Sequence, residues 1–252
     1  GTGKYSPAWF STDPTLPDHT LYMPKNITAG VEMPVILWAN GGCSAVGTAW
    51  MGLLIEWASH GILVIADGSP SGSGQDTSAR LKEGLEWALA NAGKGKYSMV
   101  DASRIGVGGQ SCGGLLAYDL ESDPRVTTLG IFNSGSLTAQ QREVVPKVTK
   151  PIAYFIGGQS DIAYGNANSD YAVLPKTEVA WKGNVEAGHG GTYCMPAAGE
   201  FGKGGSQWWR WHLRGDQASK AFFTGKGAFD MGWQVVSQNL ESAKVPAALA
   251  GN

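Results

Sequence analysis

The ten residues Arg104-Ile105-Gly106-Val107-Gly108-Gly109-Gln110-Ser111-Cys112-Gly113 decide how this chain is expected to fold. An apolar run ends in a serine that stands between two glycines, and a segment of helical pattern, residues 112–121, follows it. This pattern is typical of a strand that turns sharply into a helix and lifts a serine hydroxyl clear of its neighbours. The glycines leave room for the tight backbone, and the helix N-terminus favours negative charge. The pattern alone is weak evidence, because the chain contains 37 glycines.

Apolar runs and amphipathic segments alternate along the rest of the chain. Continuous apolar runs are typical of parallel strands buried on both faces, and they predict strands at 34–39, 62–66, 104–108, 126–132, 151–156 and, as the last one, 177–181. We expect a short strand near 20–23, and helices at 48–60, 78–92, 112–121 and through 208–213. The alternation predicts an α/β fold with a mostly parallel central sheet flanked by helices, in one domain spanning residues 1–252.

The composition narrows the class of partner. The formal net charge is −2 and no run of lysine or arginine occurs, so neither nucleic acid nor an anionic membrane surface is expected as a partner. No apolar stretch approaches the roughly 20 residues of a membrane span. Only 16% of the residues are charged, and Asn26-Ile27-Thr28 is a glycosylation acceptor sequence. We therefore expect a secreted protein, and we expect it to be a monomer.

A nucleophilic serine in this architecture needs an acid and a histidine that follow it in the chain, in that order. His189 lies in a glycine-rich loop after the last predicted strand, whereas the other histidines precede the serine or lie in a predicted helix: His19, His60 and His212. Asp161 follows strand 151–156, and catalytic groups gather at the carboxyl ends of parallel strands. Asp170, in the same loop, is the alternative acid. The acid would hold His189 in one tautomer and stabilise its charged form.

Two backbone N–H groups are needed to stabilise the negative charge that develops on a carbonyl oxygen under attack. We expect one from Cys112, directly after the serine. The second is expected from the loop 40–43 after strand 34–39, with Gly42 as the first choice and Cys43 as the alternative. No spacing typical of a metal site and no phosphate-binding loop occurs, so no metal and no cofactor are expected.

Taken together, residues 34–43, 58–65, 101–113 and 156–161 resemble the α/β-hydrolase superfamily, and the similarity extends over about residues 20–225. It is closest to the cutinase-like polyester hydrolases, the platelet-activating-factor acetylhydrolase and dienelactone hydrolase-related enzymes, and secreted microbial relatives. The resemblance implies that Ser111, Asp161 and His189 act as nucleophile, acid and base. The chain departs from the polyester hydrolases at residues 133–136, where Asn-Ser-Gly-Ser stands in place of an aromatic residue.

The three cysteines lie near the expected site. Cys43 borders one expected donor loop and Cys112 follows the nucleophile, so we expect a Cys43–Cys112 disulfide that ties the two loops together, with Cys194 free. Cys194 lies five residues after His189 and is an alternative partner for either cysteine. Three unlinked, buried thiols are the other alternative.

Only residues 133–150 separate two predicted strands at the point where a cap domain would be inserted, which leaves room for a loop and a short helix. We therefore expect an open cleft without a cap domain, lined by Trp50, Tyr164, Tyr171 and the loop 68–74, that accepts a small or polymer-borne ester. The expected activity is that of a serine-dependent carboxylic-ester hydrolase with an acyl-enzyme intermediate. The alternatives are an amidase or peptidase of the same superfamily and a non-catalytic binding member.

Overall fold

The computed structural model describes residues 1–251 and is organised around one nine-stranded sheet. Its strands are β1 (Ala8–Asp13), β2 (Leu16–Pro24), β3 (Met33–Ala39), β4 (Leu63–Asp67), β5 (Val100–Gln110), β6 (Val126–Phe132), β7 (Ile152–Ile156), β8 (Ala180–Asn184) and β9 (Gln234–Gln238). The helices are α1 (Met51–Ala58), α2 (Ser78–Asn91), α3 (Cys112–Tyr118), α4 (Ala139–Arg142), α5 (Tyr164–Val173), α6 (Gly199–Trp209), α7 (Gln217–Thr224) and α8 (Gly227–Asp230).

The strands lie in the order β1-β2-β4-β3-β5-β6-β7-β8-β9. The six strands from β4 to β8 run parallel, while β1, β2 and β9 pair antiparallel at the two edges. Parallel neighbours require crossover connections, and the helices supply them. The prediction of a mostly parallel sheet flanked by helices is confirmed.

The sheet also corrects the predicted edge strands. The strand expected at 177–181 lies at Ala180–Asn184, and it is not the last one, because β9 pairs with it from residues 234–238. At the other edge, the strand expected near 20–23 is the nine-residue β2, and β1 was not predicted. β1 and β9 are short and largely exposed, so they lack the continuous apolar run that reveals the central strands.

Each face of the sheet is covered by its own apolar cluster. Helices α2, α3 and α5 pack on one face with aliphatic side chains such as Leu81 and Leu85. Helices α1, α6 and α7 pack on the other face, where the cluster is rich in buried aromatic residues: Trp38, Trp57, Trp181, Trp208, Trp209, Trp211 and Trp233. Most of the tryptophans are therefore core residues.

Two further features of the fold concern the length of the helices and the connection between β6 and β7. Within residues 1–251, none of the helices combines the length and the apolar character needed to cross a membrane. Between β6 and β7 the chain forms only the four-residue α4 and a short 3-10 turn, Val145–Lys147. The carboxyl ends of these two strands are thus bordered by short segments.

Candidate active site

Ser111 occupies a strained turn between β5 and α3. Its backbone has φ 54° and ψ −119°, a region that non-glycine residues rarely adopt. The turn is held from both sides, because the Ser111 N–H donates to the Phe132 carbonyl at 2.9 Å and the Ser134 hydroxyl donates to the Ser111 carbonyl at 2.6 Å. Strain of this kind costs about 1–3 kcal/mol and persists only where neighbouring structure enforces it, most often at functional sites.

The two glycines of the serine motif are required by close packing. A Cβ on Gly109 would lie 2.2 Å from the Gly113 carbonyl carbon, and a Cβ on Gly113 would lie 2.1 Å from the Ala39 carbonyl oxygen. Both distances are far inside van der Waals contact, and the obstructing atoms are backbone. The motif therefore allows β5, α3 and the end of β3 to meet at the serine.

The three residues predicted to act together form one row of hydrogen bonds. The His189 Nε2 lies 2.9 Å from the Ser111 Oγ, and the His189 Nδ1 lies 2.7 Å from the Asp161 Oδ1. They come from three loops at the same edge of the sheet, after β5, β7 and β8. With Nδ1 protonated toward the carboxylate, Nε2 is free to accept the serine proton, which is the arrangement that makes a serine hydroxyl nucleophilic.

Asp161 is held as an ionised carboxylate. Burial by itself would raise its pKa, but the hydrogen bonds that the carboxylate accepts outweigh burial and lower the pKa below the usual value. The backbone N–H groups of Ala163 and Gly157 each donate at 2.9 Å, and His189 and Asn133 donate from their side chains at 2.7 Å. The negative charge needed to stabilise a protonated His189 is therefore present at neutral pH.

Asp170, the alternative acid, is engaged elsewhere. Its carboxylate is fully buried and accepts from Arg142 Nε at 2.8 Å, from the Ser136 N–H at 2.7 Å and from the Tyr118 hydroxyl at 3.1 Å. It makes a structural tie between α5 and the segment after β6. Asp161, and not Asp170, is the partner of His189.

A supporting pair, Asn133 and Tyr193, was not predicted. Asn133 is fully buried at φ 44°, and its amide donates to the Asp161 Oδ2 and, at 3.2 Å, to the Gly188 carbonyl next to His189. The Tyr193 hydroxyl donates to the Asn133 Oδ1 and stays protonated, because burial raises the tyrosine pKa. The pair links the acid loop to the histidine loop. The only signal in the sequence was the asparagine itself, a residue that tolerates positive φ, directly after a strand.

The disulfide expected from the sequence is confirmed. Cys43 and Cys112 are bonded, with their Cα atoms 5.2 Å apart, and Cys194 is an exposed free thiol. The bond brings the loop after β3 against the first residue of α3. The Cys112 N–H is at a helix N-terminus, where no helical acceptor is available to it.

The loop after β3 contributes the other candidate donors. Gly42 has φ 64°, and a Cβ placed on it would meet no atom within 4 Å, so the space next to its Cα is open. Asn40 anchors the loop, because its side chain donates to the carbonyls of Val46 and Asp67, each at 3.0 Å. The structure thus brings the loop that contains Gly42 and Cys43 against Cys112, and the role of these N–H groups as donors stays a prediction.

A cavity of about 220 Å³ opens beside Ser111 and His189, and its lining corrects the predicted cleft. The walls come from α3, from the segment after β6, from the end of the segment after β7 with the first turn of α5, and from His189 after β8. The predicted lining residues do not belong to the wall of this cavity. Trp50 packs against Tyr193, with ring centroids 4.6 Å apart, and Tyr171 packs against Tyr154. Tyr164 packs on the core, and the loop 68–74 is not part of the wall.

The remaining histidines have structural surroundings. His19 is buried with Nε2 2.9 Å from the Arg80 carbonyl, and His60 pairs with Glu56 at 3.1 Å. His212 is buried between two tryptophans, and burial lowers its pKa to about 3. Each is therefore accounted for without a role at Ser111.

Comparison of the chain with protein-family models and with curated proteins finds no match.

Proposed function

We propose that this protein is a serine-dependent carboxylic-ester hydrolase of the α/β-hydrolase type. The observation that carries the proposal is the hydrogen-bonded row from Ser111 through His189 to the ionised Asp161, with the serine on a strained strand-to-helix turn. Two further features support it. The acid and the base follow the serine in the expected chain order, and the second donor loop lies between β3 and α1, where this fold has its oxyanion site.

The proposed reaction has two halves that use the same groups. His189 accepts the Ser111 proton as Oγ attacks the ester carbonyl carbon, and the N–H groups of Cys112 and Gly42 stabilise the resulting oxyanion. The protonated His189 then gives its proton to the departing alkoxide, which leaves an acyl group on Ser111. In the second half, His189 activates a water molecule that releases the acid and restores the serine. Asp161 stabilises the charged imidazole in both halves.

We also place this activity outside the cell. The Cys43–Cys112 bond is of the kind that persists in oxidising compartments, and Asn26 of the acceptor sequence is exposed. Charged residues make up only 16% of the chain. The substrate is an ester, either small or carried on a polymer.

The test of the function is the Ser111→Ala variant assayed with p-nitrophenyl butyrate. Loss of the nucleophile should lower kcat by about 10⁴-fold or more. The matched variant Ser122→Ala replaces an exposed serine outside the Ser111–His189–Asp161 row and should keep full activity. A fluorophosphonate probe should label the wild type at Ser111. The proposal fails if Ser111→Ala keeps more than a tenth of the wild-type rate, or if anilides are hydrolysed faster than matched esters.

A further inference from the structure

The cavity beside Ser111 has an unusual combination of lining residues. Its apolar wall is aliphatic and consists of Leu115, Leu137, Ile162 and Ala163. Leu137 and Ile162 lie at its rim, with 67% and 77% of their surface exposed. Exposed large apolar side chains on a soluble protein are usually scattered singly, and adjacent ones often mark a binding site. Two such residues facing one cavity indicate a site that is covered when a ligand binds.

The same lining lacks two kinds of residue. Among the described residues, His189 is the only titratable side chain in the wall, and no lysine, arginine, aspartate or glutamate contributes. No phenylalanine, tyrosine or tryptophan ring contributes either, in spite of the aromatic core behind the sheet. A carboxylate in this cavity would have no cationic partner, which makes its burial costly, and an aromatic group would have no ring to stack on.

The position of the cavity indicates which half of the ester enters it. Its wall includes Ser111 and Cys112, and so it borders the residue that carries the acyl group between the two halves of the proposed reaction. The alcohol leaves after the first half, and a partly enclosed pocket would slow its departure. Residues of the loop after β3, which carries the second proposed donor Gly42, are not part of the wall.

We infer that this cavity is the acyl-binding site and that it selects uncharged aliphatic acyl groups. The inference rests on the proposed function and adds a substrate class to it. A water-sized group takes up about 30 Å³, so 220 Å³ holds roughly seven groups of that size. We equate these groups with the carbon atoms of hexanoyl to octanoyl chains.

The first test is a series of p-nitrophenyl esters from acetate to dodecanoate. Burial of each methylene should raise kcat/KM about fourfold up to hexanoate or octanoate, and longer chains should bring no further gain. A second series varies the alcohol of a constant hexanoate ester and should show a much weaker dependence on length. The terminal-carboxylate analogue, the p-nitrophenyl monoester of adipic acid, should be a poorer substrate than the hexanoate by at least tenfold.

A charge placed at the rim tests the residue assignment. Ile162→Lys should lower the rate with hexanoate and raise the rate with the adipate monoester, so that the ratio of the two shifts by at least tenfold. Val173→Lys adds the same charge at an exposed apolar residue outside the cavity wall and should leave the ratio unchanged.

The outcomes distinguish failure of this inference from failure of the proposed function. Turnover of all esters with no dependence on acyl length, a preference for the adipate monoester in the wild type, or a ratio unmoved by Ile162→Lys would overturn the inference and leave an esterase. Absence of turnover with every ester would overturn the proposed function, and the inference with it.

Discussion

The Cys43–Cys112 disulfide allows the sharpest prediction about stability. The bonded residues are 69 positions apart, so the bond closes a long loop that contains α1, β4, α2 and β5. The chain-entropy relation for a loop of this length gives about 4.4 kcal/mol of stabilisation at 25 °C, by restricting the unfolded chain. That is a large share of the roughly 5–15 kcal/mol that separates folded from unfolded domains.

The perturbation is the double variant Cys43→Ala with Cys112→Ala, unfolded in urea and followed by tryptophan fluorescence. We expect the free energy of unfolding to fall by about 4 kcal/mol and the slope m to rise, because an uncrosslinked unfolded chain exposes more surface. Cys194→Ser is the matched control, since it alters an exposed free thiol, and it should behave as the wild type.

The same variant tests the link between the disulfide and the proposed oxyanion donors. Without the bond, the loop that carries Gly42 is no longer tied to the first residue of α3, so kcat should fall while KM changes little. The fall should be below the 10²- to 10³-fold that follows complete loss of one donor. A loss of stability smaller than about 1 kcal/mol, together with an unchanged kcat, would refute this reasoning.

Two further substitutions probe buried polar groups. Asn133→Gly keeps the positive φ but removes one hydrogen-bond donor to Asp161, and this loss raises the pKa of the Asp161 carboxyl. We expect the acid limb of the plot of kcat/KM against pH to move to higher pH, and the rate at pH 7 to fall by about tenfold or more. Tyr193→Phe leaves this donor in place, so its acid limb should not move, and an equal displacement in both variants would contradict the assignment. For Asp67, burial first and the neighbouring Asp76 second raise the pKa well above the usual value, so its contribution to stability is present below about pH 4 and is lost as the pH rises through the folded-state pKa. Asp67→Asn should therefore gain stability relative to the wild type between pH 4 and pH 8, and parallel curves of unfolding free energy against pH would disprove this.

Much of the candidate site could be predicted because its parts are local in the chain. A strand, two glycines and a serine specify a sharp turn within a few residues, and the structure shows Gly109 and Gly113 packed against backbone as such a turn requires. The cysteine pairing was also accessible, because each cysteine adjoins a loop whose place at the site was already expected. The parallel strands were found because each is a continuous apolar run.

The parts that were missed depend on contacts between distant segments. Trp50, Tyr164 and Tyr171 carry side chains suited to a substrate cleft, yet their rings pack against neighbours that no local pattern identifies. The edge strands β1 and β9 are stabilised by pairing to β2 and β8, and their own sequences have little apolar signal.

The sequence by itself determined the alternating α/β order, the serine turn, and a short set of candidate acids, bases and donors. These features depend on chain order and on steric limits between residues that are close in the chain. Only the tertiary structure decided between Asp161 and Asp170, since the choice depends on which carboxylate meets His189 and which meets Arg142. It also revealed the Asn133–Tyr193 pair and the aliphatic cavity. Hydrogen bonds and cavity walls are made by side chains brought together from separate loops, and their geometry exists only once the sheet has aligned those loops.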